Sequence, residues 1–310
     1  MGRSRRGMPP ASSSKAATVF DRELSELVAD VGIPLVGATL LTRWWSPLHP
    51  RAAWQLQFAD GHALKGMRFN SPAVADGVDH LLGLLGDRHF PRIIARRGPA
   101  MLLQWIEGAP VTSRRGQADV LRQCGFLHGW IHAQAPGGAG ATAPGSKPDW
   151  GARLEAAAEI LAKSGTLARR EAGELIRQAR MHLPLTAATG ITHGDFCAEN
   201  LIVGQLDRIY VIDNETLQMD ALDYDLARTW YRWPMGRRHW AAYGGGYSEH
   251  RGLADFQAHF PYWSVLVLLE SAVWHVAKGT GAASIPLRRL LALGRIWSRS
   301  GALRAGAAGL

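Results

Sequence analysis

Residues 191–215 constrain this chain more than any other stretch. They read Ile191-Thr-His-Gly-Asp-Phe-Cys-Ala-Glu-Asn-Leu-Ile-Val203, then, after residues 204–208, Ile209-Tyr-Val-Ile-Asp-Asn-Glu215. Two short runs of apolar, largely β-branched residues, 201–203 and 209–212, flank a polar connection that contains a glycine, which is the pattern of a β-hairpin. The ends of a hairpin are adjacent in space, so Asn200 and Asp213 are brought together beside a loop that carries Asp195.

An acid, an amide and a second acid in this order suit one chemistry in particular. Phosphoryl transfer from ATP needs an acidic residue to orient the attacking hydroxyl, and oxygen ligands for hard magnesium ions on the phosphates. Asp195, Asn200 and Asp213 can supply these. An Asp with an Asn five residues on, followed by a short hairpin ending in Asp, resembles the kinase catalytic loop and metal-binding segment. The His193-Gly194-Asp195 form narrows the resemblance. With Ile212-Asp213, the later Asp223-Tyr-Asp-Leu-Ala227 and the upstream Ile106-Glu107-Gly108, the chain resembles the aminoglycoside phosphotransferase and choline kinase family from about residue 36 to about residue 234.

The resemblance implies an α+β, protein-kinase-like two-lobe fold that uses ATP and Mg²⁺. It makes Asp195 the catalytic acid and Asn200 and Asp213 the metal ligands. Lys65, in the strand returning from the Asp60-Gly61 turn, takes the place of the lysine that holds the α- and β-phosphates. No Glu occurs between Lys65 and Glu107, so Asp79, on the flank of a helix's apolar stripe, is the candidate for that lysine's usual carboxylate partner. Residues 101–106 resemble the segment joining the lobes, where Leu103 would line the adenine pocket and the Gln104 carbonyl and Ile106 amide would face the adenine edge. His193 is implied to be a scaffold of the catalytic loop, and Asp225 a structural residue. The loop 42–51 contains no glycine, a departure that leaves Ser46 and backbone amides to meet the phosphates.

The rest of the chain fits such a plan. Residues 36–45, 53–58 and 62–69 read as strands, the last two joined by Asp60-Gly61, a strong hairpin signal. Ser71 as N-cap with Pro72 at the first helical position opens a helix that Gly86 can close, with Val74, Val78, Leu81, Leu82 and Leu85 on one stripe. Residues 100–106 read as a further strand, broken by 107–110. Helices are expected over 117–134, 150–163 and 167–182, with the Gly-, Ala- and Pro-rich 135–148 as an insert. The expected organisation is a disordered basic tail (1–17), an N-lobe of sheet and one helix (18–103), a hinge (104–110), a C-lobe with catalytic loop, metal site and acceptor pocket (111–298) and a flexible end (299–310).

Two cysteines, Cys124 and Cys197, are too few for a disulfide framework. No apolar signal-peptide core follows the basic start, and the apolar run 260–276 holds Pro261, Glu270 and His275, so it is expected to be a buried helix rather than a membrane span. A cytoplasmic location is the expectation. The net charge is +9. Residues 231–310 hold ten Lys or Arg against three acids, yet no nucleic-acid motif accompanies them, so nucleic acid is not an expected partner. The acceptor is expected to be a small-molecule hydroxyl, that of a sugar, amino sugar, aminoglycoside or amino alcohol. A polycation would need carboxylates in its cleft, and the basic stretch argues for a neutral or anionic acceptor, with Trp230, Tyr231, Trp233 and Trp240 either stacking on a ring or forming core. Alternative readings are a catalytically weak pseudokinase or scaffold, and a protein kinase. Only a short segment separates Asp213-Asn214-Glu215 from Asp223, which leaves little chain for docking a peptide.

Overall fold

The computed structural model describes residues 20–41, 51–114, 117–134 and 149–300. The basic tail 1–17, residues 301–310 of the expected flexible end, the 135–148 insert and Ser46 lie outside the described residues, while 299–300 belong to the last helix. The chain divides into two compact units: residues to Pro72 with Ile93–Trp105, and Ala73–Arg92 with Ile106 onward.

The first unit is an antiparallel sheet with one helix. α1 (Arg22–Asp30) begins at Asp21, whose carboxylate accepts from the Leu24 amide, an N-cap that satisfies one of the first turn's orphan donors. The strands are β1 (Leu35–Leu40), β2 (Ala52–Phe58), β3 (Ala63–Arg68), β4 (Ile93–Arg97) and β5 (Ala100–Gln104), in the order β1-β2-β3-β5-β4. Leu24, Leu27 and Val28 of α1 pack with Trp54, Leu56, Phe58, Leu64 and Leu102 in one core. The Asp60-Gly61 turn joins β2 to β3 as expected, with Gly61 at φ 89°.

The second unit begins with α2 (Pro72–Leu85), which buries Ala75, Val78, Leu81, Leu82 and Leu85. Val74, expected on that stripe, is 43% exposed; the buried face starts one residue later, at Ala75. After α2, the His89 carbonyl accepts from the Val211 amide. The expected break at 107–110 turns out to pair: Ala109–Pro110 is β6, on the edge of β8 (Leu201–Val203), which pairs in turn with β9 (Ile209–Val211). Gly108 permits this, because a Cβ there would overlap the Val203 carbonyl.

Helices α3 (Ala118–Ala133), α4 (Trp150–Lys163) and α5 (Arg169–Arg180) fall where the periodicity places them. β7 (Thr189–Thr192) pairs with β10 (Gln218–Ala221). They are followed by α6 (Leu222–Arg232), α7 (Arg237–Tyr247), α8 (Ala254–Ala277) and α9 (Ser284–Ser300). α8 is long and apolar enough to cross a membrane by length and composition, but its middle, from Pro261 through Leu269, is buried within the unit. Trp230, Trp233 and Trp240 are buried as well, so the core alternative holds for these three.

α3 and α7 touch backbone to backbone. A Cβ at Gly125 or Gly129 would overlap the carbonyl of Tyr243 or Tyr247, and one at Gly246 would overlap the Arg122 carbonyl. This glycine seam brings the Tyr243 and Tyr247 hydroxyls to two histidines of α3.

Candidate active site

The loop 193–200 leaves β7 and runs into β8. Gly194 has φ 75°, a conformation open to glycine, and a side chain there would also crowd the Thr216 carbonyl at 2.9 Å. The residue between His and Asp is therefore fixed by geometry. Asp195 follows it, half-buried. Asn200 donates from Nδ2 to the Asp195 carbonyl at 2.9 Å and to Asp195 Oδ2 at 3.1 Å. The Asn200 carbonyl accepts from the Ile212 amide at 2.9 Å, which sets Asp213 one residue beyond that bond. Asp213 itself is left-handed, at φ 58° and ψ 47°. A non-glycine residue in that region is strained by an amount of order 1 kcal/mol, and such residues cluster at functional sites.

Helix α6 fixes the loop. Four of its residues, Asp225, Arg228, Thr229 and Arg232, lie on one face at the i, i+3, i+4, i+7 spacing, and each bonds to residues 193–197. Asp225 accepts from the His193 amide at 2.8 Å and the Gly194 amide at 3.0 Å. Arg228 donates to the Gly194 carbonyl, and Thr229 donates to the Phe196 carbonyl at 2.9 Å. Arg232 donates from Nε to Asp195 Oδ1 at 2.8 Å. Burial would lower the Arg232 pKa, but the charge and hydrogen bond of Asp195 together with Cys197 outweigh it and the net direction is up. The His193 ring reaches the Ile212 carbonyl at 3.2 Å, and Thr216 donates to the His193 carbonyl at 2.7 Å.

Beneath the loop lies a closed polar network. Asp225 is wholly buried, and its Oδ2 also meets the Nε2 atoms of His128 and His132, each at 3.2 Å. The Nδ1 atoms of those rings meet the hydroxyls of Tyr243 at 2.5 Å and Tyr247 at 2.8 Å. An ionised carboxylate accepts only, so both Nε2 atoms carry protons toward it. Burial alone would raise the Asp225 carboxyl; the bonds from His128 and His132 outweigh it and hold it well below the usual carboxylate range. His128, His132 and Asp225 have the composition of a metal-ligand cluster, but the hydrogen bonds already satisfy all three.

Burial, reinforced by His128, pushes His132 down to about 4. The unfolded chain takes up this proton near pH 6.5 and the folded one does not, so stability is lost as pH falls from about 6.5 to about 4. The loss is on the order of 3 kcal/mol. Urea denaturation at pH 7 and pH 4.5 is expected to show it, and His132→Gln should show less of it. An equal acid sensitivity in both proteins would contradict the assignment.

The remaining expected residues sit as follows. Lys65 is buried in β3, opposite Gln55 on one side and Leu103 on the other. Leu103 is buried and Gln104 exposed in β5. Ile106 and Asp79 belong to the second unit, both half-buried. The sequence reading missed the arginines of α6 and the histidine pair of α3. Their signals were a polar stripe along 225-228-229-232 and an i, i+4 His pair.

An antiparallel-sheet unit, a helical unit and an acid-amide-acid constellation on a loop and hairpin define a phosphotransferase of protein-kinase-like two-lobe fold. The sequence matches the phosphotransferase enzyme family (APH) over residues 43–259, and the chain belongs to that family. Among solved structures it is similar to macrolide 2′-phosphotransferase MphH from Brachybacterium faecium, at 18% identity and TM-score 0.59 over 84% of this chain and 96% of that one. It is also similar to a choline kinase from Cryptosporidium parvum, at 14% identity and TM-score 0.63 over 90% and 98%. A third is choline kinase LicA from Streptococcus pneumoniae, at 12% and 0.61 over 87% and 99%. At these identities the likeness is one of fold. No curated protein sequence is significantly similar to the chain.

Proposed function

We propose that the chain moves the γ-phosphoryl group of ATP to a hydroxyl of a small molecule, with Asp195 as the catalytic carboxylate. One observation carries this reading: Asp195, Asn200 and the residue preceding Asp213 are joined by direct hydrogen bonds. The acceptor oxygen bonds to the γ-phosphorus as the bond to the departing ADP oxygen breaks, and Asp195 orients the hydroxyl and takes its proton.

The donor set fits magnesium. Asn200 has its amide nitrogen on Asp195, so its oxygen is the atom turned over to a metal, and Asp213 adds a carboxylate; both are hard ligands. Bound there, Mg²⁺ would neutralise charge on the phosphates. Lys65 is assigned to the α- and β-phosphates, with Asp79 as its carboxylate. Leu103 is assigned to the adenine pocket, and the Gln104 carbonyl and Ile106 amide to the adenine edge. A cytoplasmic enzyme acting on small hydroxyl compounds, with no nucleic-acid partner and no membrane span, is the setting this implies. The similar structures, a macrolide phosphotransferase and choline kinases, support a small acceptor over a peptide.

Asp213→Ala tests the metal assignment. It is expected to weaken magnesium-dependent ATP binding at least about tenfold, the lower end for losing even an outer partner of a metal ligand. The check is a nucleotide titration with and without Mg²⁺, where an unchanged magnesium dependence would contradict it. Acceptor-dependent ADP formation across sugars, amino alcohols and aminoglycosides tests the reaction itself, and its absence would favour a nucleotide-binding scaffold.

A further inference from the structure

We infer that the acceptor carries a negative charge, a carboxylate or phosphate ester, that docks on Arg232 while its hydroxyl meets Asp195; this rests on the phosphotransfer reading above. The argument starts at the carboxylate. An acceptor hydroxyl within hydrogen-bond distance of Asp195 cannot avoid the guanidinium that donates to Oδ1 at 2.8 Å. Arg228 brings a second guanidinium to 3.6 Å from the same oxygen. Two guanidiniums thus flank the one carboxylate that the acceptor hydroxyl must approach.

The two arginines are not equivalent. Arg228 is bound to the Gly194 carbonyl and supports the loop. Arg232 has a side chain 43% exposed. It pairs with Asp195 through its Nε–Nη2 edge, at 2.8 and 3.4 Å. A guanidinium is a rigid planar fork with five donors, so its Nη1–Nη2 edge can take a second oxyanion without releasing the first. That geometry presents a carboxylate or phosphate on one edge of Arg232 and the acceptor hydroxyl beside Asp195 on the other.

A cation would find little to balance it on the surrounding elements. Arg153 engages Glu270, bonded through Nε and Nη2, and also Asp220, at 3.5 Å. Asp223 lies 3.8 Å from Arg251. Asp225 accepts from two ring nitrogens and two amides. In the loop itself, Glu199 is the exposed carboxylate. An ammonium beside Asp195 would therefore meet the two guanidiniums that already flank it, whereas a carboxylate would pair with the open edge of Arg232.

The test compares acceptors of one ring and different charge. Galacturonate, galactose 6-phosphate, galactose and galactosamine are offered with MgATP, and ADP formation is measured for the wild type and Asp195→Ala. The expected result is an Asp195-dependent kcat/KM at least about tenfold higher for one of the two anions than for galactose, with galactosamine lowest; which anion wins tells carboxylate from phosphate. Arg232→Gln should then lower the anion-to-galactose ratio at least about tenfold, whatever it does to the absolute rates. Galactosamine equal or best would overturn the inference. So would an Arg232→Gln protein that loses both acceptors in proportion, because Arg232 would then serve the base or the donor phosphate alone. Turnover of no acceptor beside intact Asp195-dependent ATP hydrolysis also counts against it. Loss of that hydrolysis as well would count against phosphotransfer itself.

Discussion

Phosphate transfer by Asp195→Ala is expected to fall at least about 10²-fold, the scale of a positioned proton acceptor, while the protein stays folded and binds ATP. Retention of the fold follows from what Asp195 does in the unliganded chain. Its partner Arg232 is 43% exposed and Asp195 itself 25%, and ion pairs this open to water contribute about 0.2–1 kcal/mol. The loop is held instead through backbone atoms of residues 193, 194 and 196, whose partners on α6 survive the substitution. ADP formation with the acceptor that best supports turnover, measured beside a thermal melt, checks both halves. Turnover within a few-fold of wild type by a folded variant would remove Asp195 from the mechanism. Asp195→Asn refines the result: it keeps the size of the side chain and removes the basicity, but it turns an NH₂ group toward either Asn200 or Arg232, both donors.

The parts of this site that the sequence disclosed are those whose partners are close along the chain. Asn200 sits five residues from Asp195, and the hairpin carries Asp213 back to Asn200 by register alone: Leu201 opposes Val211. Apolar periodicity likewise placed α2 through α5. What could not be read is what joins distant elements. The stripe Asp225-Arg228-Thr229-Arg232 is visible as spacing, but nothing local says that it faces a loop some thirty residues earlier. His128 and His132 read as an ordinary helical pair until α7, locked on α3 by the glycine seam, supplies two tyrosine hydroxyls. The edge strand β6 was hidden because the evidence for it, the clearance at Gly108, lies in the hairpin that it joins. Val74 missed the buried face of α2 by one position, since an apolar residue in a first turn satisfies the pattern without being covered.

Asp225→Ala is expected to destabilise the protein by about 3–5 kcal/mol, the range for removing one partner of a buried charged network, and to depress turnover although Asp225 touches no reacting atom. Its carboxylate accepts four N–H donors: two imidazole Nε2–H groups and the amides of His193 and Gly194. Deleting it strands all four in a site with no exposure, and each buried donor left unsatisfied costs about 1–3 kcal/mol, softened where water enters. The helices cannot close over the gap, because α3 and α7 are already in backbone contact at Gly125 and Gly129. Asp225→Asn keeps the volume and one acceptor oxygen but turns an NH₂ group toward N–H donors, so it should fall between wild type and alanine. The effect on activity has its own cause. Without the two amide contacts, Gly194 keeps only its bond from Arg228, and the Asp195 carboxylate loses its fixed bearing, which lowers kcat more than ATP affinity. Urea denaturation followed by circular dichroism gives the first quantity, and steady-state kinetics at a temperature where the variant stays folded gives the second. Wild-type stability in Asp225→Ala would show that the network carries no net load. An unchanged kcat in the folded variant would show that Arg228, Thr229 and Thr216 suffice to hold the loop.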